Sequence, residues 1–327
     1  MRLPTALPSA LGAAVLLVTI GAAPGRARPV TPLTGVAASA PASLDSLRAA
    51  IATRVAALRI EVPTAVVAVS VRDLAPGGGA FDLAGDSVFH AASTMKLPVM
   101  MELFRAADRG ALSLDQEIVL VNRFTSVADG SPYALDAADD SDSAAYAMVG
   151  QRVAVRELVR RMIVRSSNLA TNAVIALADP ARTTAMARTL GASRIEVRRG
   201  VEDGPAFRAG IVNTTTAPDL AALLVALARG TAESPASTRA MLDILAAQEH
   251  NDEIPAGLPP GTRVAHKTGW ITGVLHDAAL VEPPGRPPYV LVVLTRGIPD
   301  VAVARRTIVD VARLTHAALA APAGTPR

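Results

Sequence analysis

Strand-like runs near both ends of the chain, with helix-periodic runs between them, predict an α/β plus all-α arrangement: a sheet built from both chain ends, helices on its faces, and a helical lobe inserted between its halves. Three observations carry this. Ala65 to Val71 is apolar and β-branched, and the turn Pro76-Gly77-Gly78-Gly79 leads into a second strand around Phe81. Arg263 to Thr268, Asp277 to Val281 and Tyr289 to Thr295 read as three more strands, the first two joined through Gly269 to Gly273. Between these groups, apolar residues recur at helical spacing, as in Val155, Leu158, Val159, Met162 and Ile163.

Taken in order, the chain begins with Arg2 and an apolar stretch from Ala10 to Ala23, with Gly21, Ala22 and Ala23 offering a cleavage site, so residues 1–27 read as an export signal. The stretch is too short for an ordinary membrane span, an uncleaved anchor being the alternative. Residues 28–42, rich in Pro, Ala, Ser and Thr, read as a flexible linker. Ser43 is a candidate N-cap for a helix with Leu44, Leu47, Ile51, Val55 and Leu58 on one face. Leu97 to Arg109, closed by Gly110, is a buried helix. Tyr133 to Ser143 carries Asp136, Asp139, Asp140 and Asp142 without the spacing, glycine and closing glutamate of a calcium loop, so it reads as a solvated loop. Ser166-Ser167-Asn168 then interrupts two apolar helices, the second running from Leu169 to Leu177. This polar turn either aims side chains into a cleft or simply joins the helices with Asn168 as a cap. Ile195 to Val212 lacks periodicity and reads as a long functional loop containing Glu196, Glu202 and Asp203. Thr216-Ala217-Pro218-Asp219 starts a helix that Leu220 to Leu227 continues, and Val301 to Leu314 is a closing helix. The expected division is an α/β lobe of residues 43–88 and 222–320, a helical lobe of 89–221 and a frayed tail of 321–327. Clefts between two such lobes are where small ligands bind.

Composition excludes several functions. The 327 residues are half hydrophobic, enough for a substantial core. A net charge of +3, scattered arginines and nine aromatics leave no basic-aromatic surface for nucleic acid. The absence of cysteine removes disulfides, thiol catalysis and thiolate metal sites. Five histidines without His-Glu-x-x-His spacing, and no Gly-x-Ser-x-Gly elbow, argue against a zinc protease and a Ser-His-Asp hydrolase. Neither metal nor organic cofactor is expected, and the protein is expected to be a monomer.

Ser93-Thr94-Met95-Lys96 is the pattern with chemistry in it. On a helix, this spacing stacks hydroxyl and amine one turn apart on one face, with roughly 5–6 Å between Cβ atoms. A serine hydroxyl is a poor nucleophile until a base takes its proton, and a lysine can do so when burial or a nearby positive charge keeps it neutral. The spacing alone is weak, but lysine usage is not. Of 32 basic residues only Lys96 and Lys267 are lysines, so two positions retain the one basic side chain that loses its proton at moderate cost. Lys267 opens Lys267-Thr268-Gly269.

In that order, Ser93-x-x-Lys96, Ser166-x-Asn168 and Lys267-Thr268-Gly269 resemble the three motifs of class A β-lactamases and penicillin-binding proteins, over most of the chain after residue 43. The resemblance implies a β-lactamase-like two-lobed fold, with an antiparallel sheet flanked by helices and an inserted helical lobe, and a periplasmic or secreted hydrolase acting on a β-lactam or a cell-wall peptide. It implies that Ser93 attacks the lactam carbonyl and that Lys96 accepts its proton directly or through water. Ser166 would pass a proton to the leaving nitrogen, with Lys267 holding the network and attracting the substrate carboxylate. Asn168 would orient the substrate amide, Thr268 would bond the carboxylate, and the backbone N–H groups of Ser93 and Trp270, around Gly269, would form the oxyanion hole. Glu202 stands where class A enzymes carry the base that drives water onto the acyl-enzyme, with Glu196 the fallback.

Departures from the family pattern bear on turnover. The middle motif is Ser-Ser-Asn instead of Ser-Asp-Asn, Ala206 replaces the asparagine that helps hold the water, and Trp270 is bulky where small residues are common. A D-alanyl-D-alanine peptidase or esterase would share Ser93, Lys96 and Lys267 without needing Glu202. A non-turnover sensor of β-lactams would be acylated and remain so.

Overall fold

The computed structural model describes residues 43–320; the export signal expected at 1–27, the linker at 28–42 and the tail at 321–327 lie outside the described residues. Ser43 accepts from the Ser46 amide and starts α1 (Leu44–Glu61), whose Leu47, Ile51, Val55 and Leu58 are buried as their spacing predicts. The hairpin of β1 (Val66–Asp73) and β2 (Ala80–Leu83) follows, then β3 (Phe89–His90) and a 3-10 turn, Ala92–Met95, that leads into α2 (Lys96–Asp108). Three short strands, β4 (Glu117–Val119), β5 (Phe124–Thr125) and β6 (Pro132–Tyr133), precede β7 (Arg152–Ala154). Then come α3 (Val155–Val164), α4 (Asn168–Ala178), α5 (Pro180–Thr189), α6 (Gly204–Arg208) and β8 (Thr214–Thr215). Thr216 caps α7 (Ala217–Ala228), and α8 (Pro235–Ala246) leads to β9 (Arg263–Ile271), β10 (Val274–Glu282), β11 (Tyr289–Arg296) and α9 (Val301–Leu319).

The sheet has the order β2-β1-β11-β10-β9, antiparallel throughout, so the last strand pairs with the first and the two chain ends form one layer. The two-residue period of β11 shows why. Val290, Val292 and Leu294 enter the core shared with α2, α3, α4 and α7, whereas Tyr289, Leu291 and Val293 enter the core shared with α1 and α9. A strand that is apolar on both faces must be central and covered on both sides. β9 forms one edge of the sheet, and its Gly269 lies against the Ala92–Met95 turn.

Local differences from the sequence expectation have physical causes. The Ser93–Lys96 tetrapeptide is not one α-helix: Ser93 lies in the 3-10 turn and α2 begins at Lys96. The Tyr133 to Ser143 stretch is not simply a solvated loop, because Asp140 and Asp142 are buried against the start of α4 and against Arg161. α5 and α8 escape the periodicity argument because each buries only three residues. Among the described residues, no helix is long and apolar enough to cross a membrane.

Leu291 is fully buried in the central strand, on the face away from the Gly269 contact. Leu291→Ala is expected to cost about 3 kcal/mol of stability, the usual loss for emptying a packed aliphatic site, read as a lowered urea midpoint.

Candidate active site

Two buried amines meet one hydroxyl, that of Ser166, at the wall of the cleft. Lys96 extends from the first turn of α2, and its Nζ donates to Ser166 O at 2.6 Å, Ser166 Oγ at 3.2 Å and Asn168 Oδ1 at 2.8 Å. Lys267, on β9, donates from Nζ to the same Ser166 Oγ at 3.0 Å and to Thr268 O at 2.9 Å. Both lysines are fully buried. Removal from water pushes Lys96 down to about 7, partly offset by the carboxylates of Asp140 and Glu202. Burial, and then the charge of Lys96, hold Lys267 well below the ordinary lysine value, against the attraction of Asp277 and Glu253. Near neutral pH the pair therefore offers a neutral amine.

Ser93, partly exposed, opens onto a cleft of about 1170 Å³ that Ser166, Asn168, Glu202, Thr268, Gly269 and Trp270 also line. Among the described residues, the hydrogen-bond partners of Lys96 are Ser166 and Asn168, not Ser93 Oγ. β9 comes so close to the serine that a Cβ on Gly269 would stand 3.1 Å from the amide nitrogens of Ser93 and Thr94. A side chain here would push the edge strand and the serine turn apart by a few tenths of an ångström. The Trp270 side chain is 62% exposed at the cleft mouth.

Ser167, not Asn168, caps α4, accepting from the Ala170 amide. Asn168 is thereby freed to bridge. Its Oδ1 accepts from Lys96 and its Nδ2 donates to Glu202 Oε1 at 2.6 Å. Glu202 is exposed to the cleft, yet the walls around it remove enough water to hold its carboxyl above the usual range, against the Asn168 hydrogen bond. Ala92, Ser166 and Glu202 all have positive φ, at 45°, 57° and 58°. Such backbone is costly for residues with a side chain and persists only where neighbours hold it.

Those neighbours are mostly residues that sequence reading passed over. Asn172 clamps Val201, donating to its carbonyl at 3.0 Å and accepting from its amide at 2.8 Å. Asp203 accepts from Ser126 Oγ, Val127 N and Ala206 N, and Asn213 holds Arg198 and Arg199 by their backbone. The Ile195 to Val212 segment is thus a loop laced to the body on both sides of Glu202. The spacing of Asn172, four residues after Asn168 on an otherwise apolar helix, was the available signal. Glu196 is not among the cleft-lining residues; it pairs with Arg188 and bridges to Thr214 through its backbone. Among the described residues, no cluster of three His, Asp or Glu side chains is arranged to hold a metal ion.

Residues 50–319 match the model of the beta-lactamase enzyme family. A beta-lactamase from Streptomyces albus G is 29% identical over 214 residues, covering 64% of this chain and just under two thirds, 66%, of that relative. Among solved structures, a beta-lactamase from Sphaerobacter thermophilus DSM 20745 is 28% identical with a TM-score of 0.70, covering 86% of this chain and all of that one (100%). A variant of PBP-A, solved as its acyl-enzyme complex with penicillin G, is 27% identical with a TM-score of 0.69, covering 84% of this chain and 97% of that one.

The depressed lysine has a thermodynamic signature. Because the folded-state value of Lys96, about 7, lies below the unfolded one, the unfolded chain binds more protons between about pH 7 and the ordinary lysine range, and this group's contribution to stability rises with pH across that window. Relative to the parent, Lys96→Met is expected to be more stable at pH 6 than at pH 10, as measured by urea midpoints at the two pH values. Equal differences at both would mean that Lys96 titrates normally.

Proposed function

The chain belongs to the class A serine beta-lactamase-like family, within the beta-lactamase enzyme family, and from that premise we propose that it hydrolyses β-lactams through an acyl-enzyme on Ser93. The observation that carries the reading is the shared Ser166 hydroxyl, held by the only two lysines in the chain, in a cleft that a partly exposed Ser93 also lines. The protein would act in the periplasm or outside the cell.

Ser93 Oγ attacks the lactam carbonyl carbon, and its proton passes to the neutral Lys96 amine directly or through one water. The charge that develops on the carbonyl oxygen is taken by the backbone N–H groups of Ser93 and Trp270, whose approach Gly269 permits. The C–N bond then breaks, and the leaving nitrogen takes a proton from Ser166, which Lys96 or Lys267 replaces. Lys267 and Thr268 attract the substrate carboxylate and the Asn168 amide orients the substrate. In the second half, Glu202 takes a proton from a water whose oxygen attacks the ester carbonyl; Ser93 Oγ leaves and is reprotonated. One water is consumed and the amide becomes a carboxylate and an amine. The Asn168 hydrogen bond ties Glu202 to the same network as Lys96, which supports its role.

One observation favours a penicillin-binding relative that is acylated but slow to turn over: Ala206 has no side-chain amide to hold the water, and its backbone N–H is taken by Asp203 at 3.0 Å. Intact-mass spectrometry separates the readings. Ser93→Ala should take no label from penicillin, and a labelled variant would remove Ser93 as nucleophile. Glu202→Gln keeps the shape and a hydrogen bond but not the basicity, so it should accumulate an adduct that the parent clears. A parent that never clears its adduct would be a penicillin-binding or sensing protein, and equal clearance would make Glu202 a bystander.

A further inference from the structure

Asp140 belongs to the aspartate-rich stretch that, read as sequence, looks solvated, yet only 6% of it is exposed. Its carboxylate receives a set of donors that a surface residue does not collect. Oδ1 accepts from the amides of Asp142 at 3.0 Å and Asn168 at 3.1 Å. Oδ2 accepts from the amides of Asn168 at 3.0 Å and Leu169 at 2.9 Å, and from Tyr146 Oη at 3.2 Å. The amides of Asn168 and Leu169 are free donors at the start of α4, where a negative charge is favoured. Ser167 caps the same helix through the Ala170 amide, so the two residues divide the first turn between them. Asn168, held by its backbone to Asp140, is held by its side chain to Lys96 and Glu202.

We propose that Asp140 is a positioning residue of the site: its carboxylate sets the start of the helix that carries Asn168, whose side chain accepts from Lys96, and so places a buried carboxylate one residue removed from that amine. This rests on the functional reading above only for its kinetic consequence. The middle motif has Ser167 where the family pattern has an aspartate, and Asp140 supplies a carboxylate to this turn from another segment. Lys96 feels Asp140 and Glu202 as attraction, and Lys267 feels Lys96 as repulsion. Glu202 feels Asp140 and Asp139 as repulsion and Lys96 as attraction. The neighbouring Asp142 is compensated by Arg161 at 2.8 Å and Arg165 at 3.4 Å, whereas Asp140 spends its carboxylate on the start of α4.

Because the chain has only two lysines, ε-carbon-labelled protein yields two lysine side-chain NMR signals, and Lys96→Met assigns them without any substrate. Asp140→Asn should lower the titration midpoint of the Lys96 signal, since an attractive charge is lost, while Asp140→Glu, which keeps the charge but disturbs the amide contacts, should leave it near the parent value. Should Asp140→Asn not fold, Asp140→Ser, whose hydroxyl can still accept one amide, carries the same test. An unchanged midpoint in the uncharged variant, or an equal drop in Asp140→Glu, would overturn the proposal. In kinetics, Asp140→Asn sets an amide donor against the Asn168 and Leu169 amides and so displaces the Asn168 side chain, which should slow acylation by a chromogenic cephalosporin about tenfold, equivalent to one 1.4 kcal/mol step, although more Lys96 is neutral; an unaltered acylation rate would also overturn it. If the parent is not acylated at all, the functional reading fails while the NMR result still decides the role of Asp140.

Discussion

Two lysine amines share one serine oxygen, and the electrostatics of that arrangement constrain everything around it. Both nitrogens touch Ser166 Oγ, so they lie within about 6 Å, where two unit charges at an effective dielectric of about 20 repel by about 3 kcal/mol. Burial adds to the penalty, because neither ammonium reaches water. The pair escapes by leaving one amine neutral, and a neutral amine beside a partly exposed serine is what nucleophilic catalysis needs. The carbonyls of Ser166 and Thr268, the Asn168 amide and the carboxylates of Asp140 and Glu202 hold the remaining charge.

That cluster survives because rigid pieces on each side press it together. Lys267 comes from an edge strand of a sheet packed on both faces, and Lys96 comes from a helix whose first ten residues after the serine turn are almost wholly buried. Between them, Gly269 lets backbone approach backbone more closely than a Cβ would comfortably allow. Ser166 and Glu202, both facing the cleft, are held at positive φ by the surrounding hydrogen bonds. The Glu202 loop, whose regular structure is the short α6, is stiffened by Asn172, Asp203 and Asn213.

Much of the architecture was legible in the residues themselves. The Ser43 and Thr216 caps, the apolar face of α1 and the continuous apolar run of β11 each follow from local rules, and local rules need no knowledge of the rest of the chain. The scarcity of lysine likewise marked Lys96 and Lys267 before any geometry was known, since a chain that uses arginine for charge retains lysine where a proton must leave. Motif resemblance then brought Ser166, Asn168 and Glu202 into one site.

What the sequence by itself determined, then, is a set of candidate side chains and most of the elements that carry them, because side-chain chemistry and helix or strand periodicity are properties of near neighbours. Tertiary structure decided how those groups engage one another. The Lys96 amine is turned toward Ser166 and Asn168, α2 starts one turn later than helical spacing suggests, and Asp140 is buried at the cap of α4 instead of solvated. The lysine and Asp140 contacts are made to partners 29 to 72 residues away in the chain, and no local pattern encodes a contact made across that distance. The protonation state of the lysines follows the same logic: the residue type supplies an amine, and only enclosure by both halves of the cleft removes the water that would keep it charged.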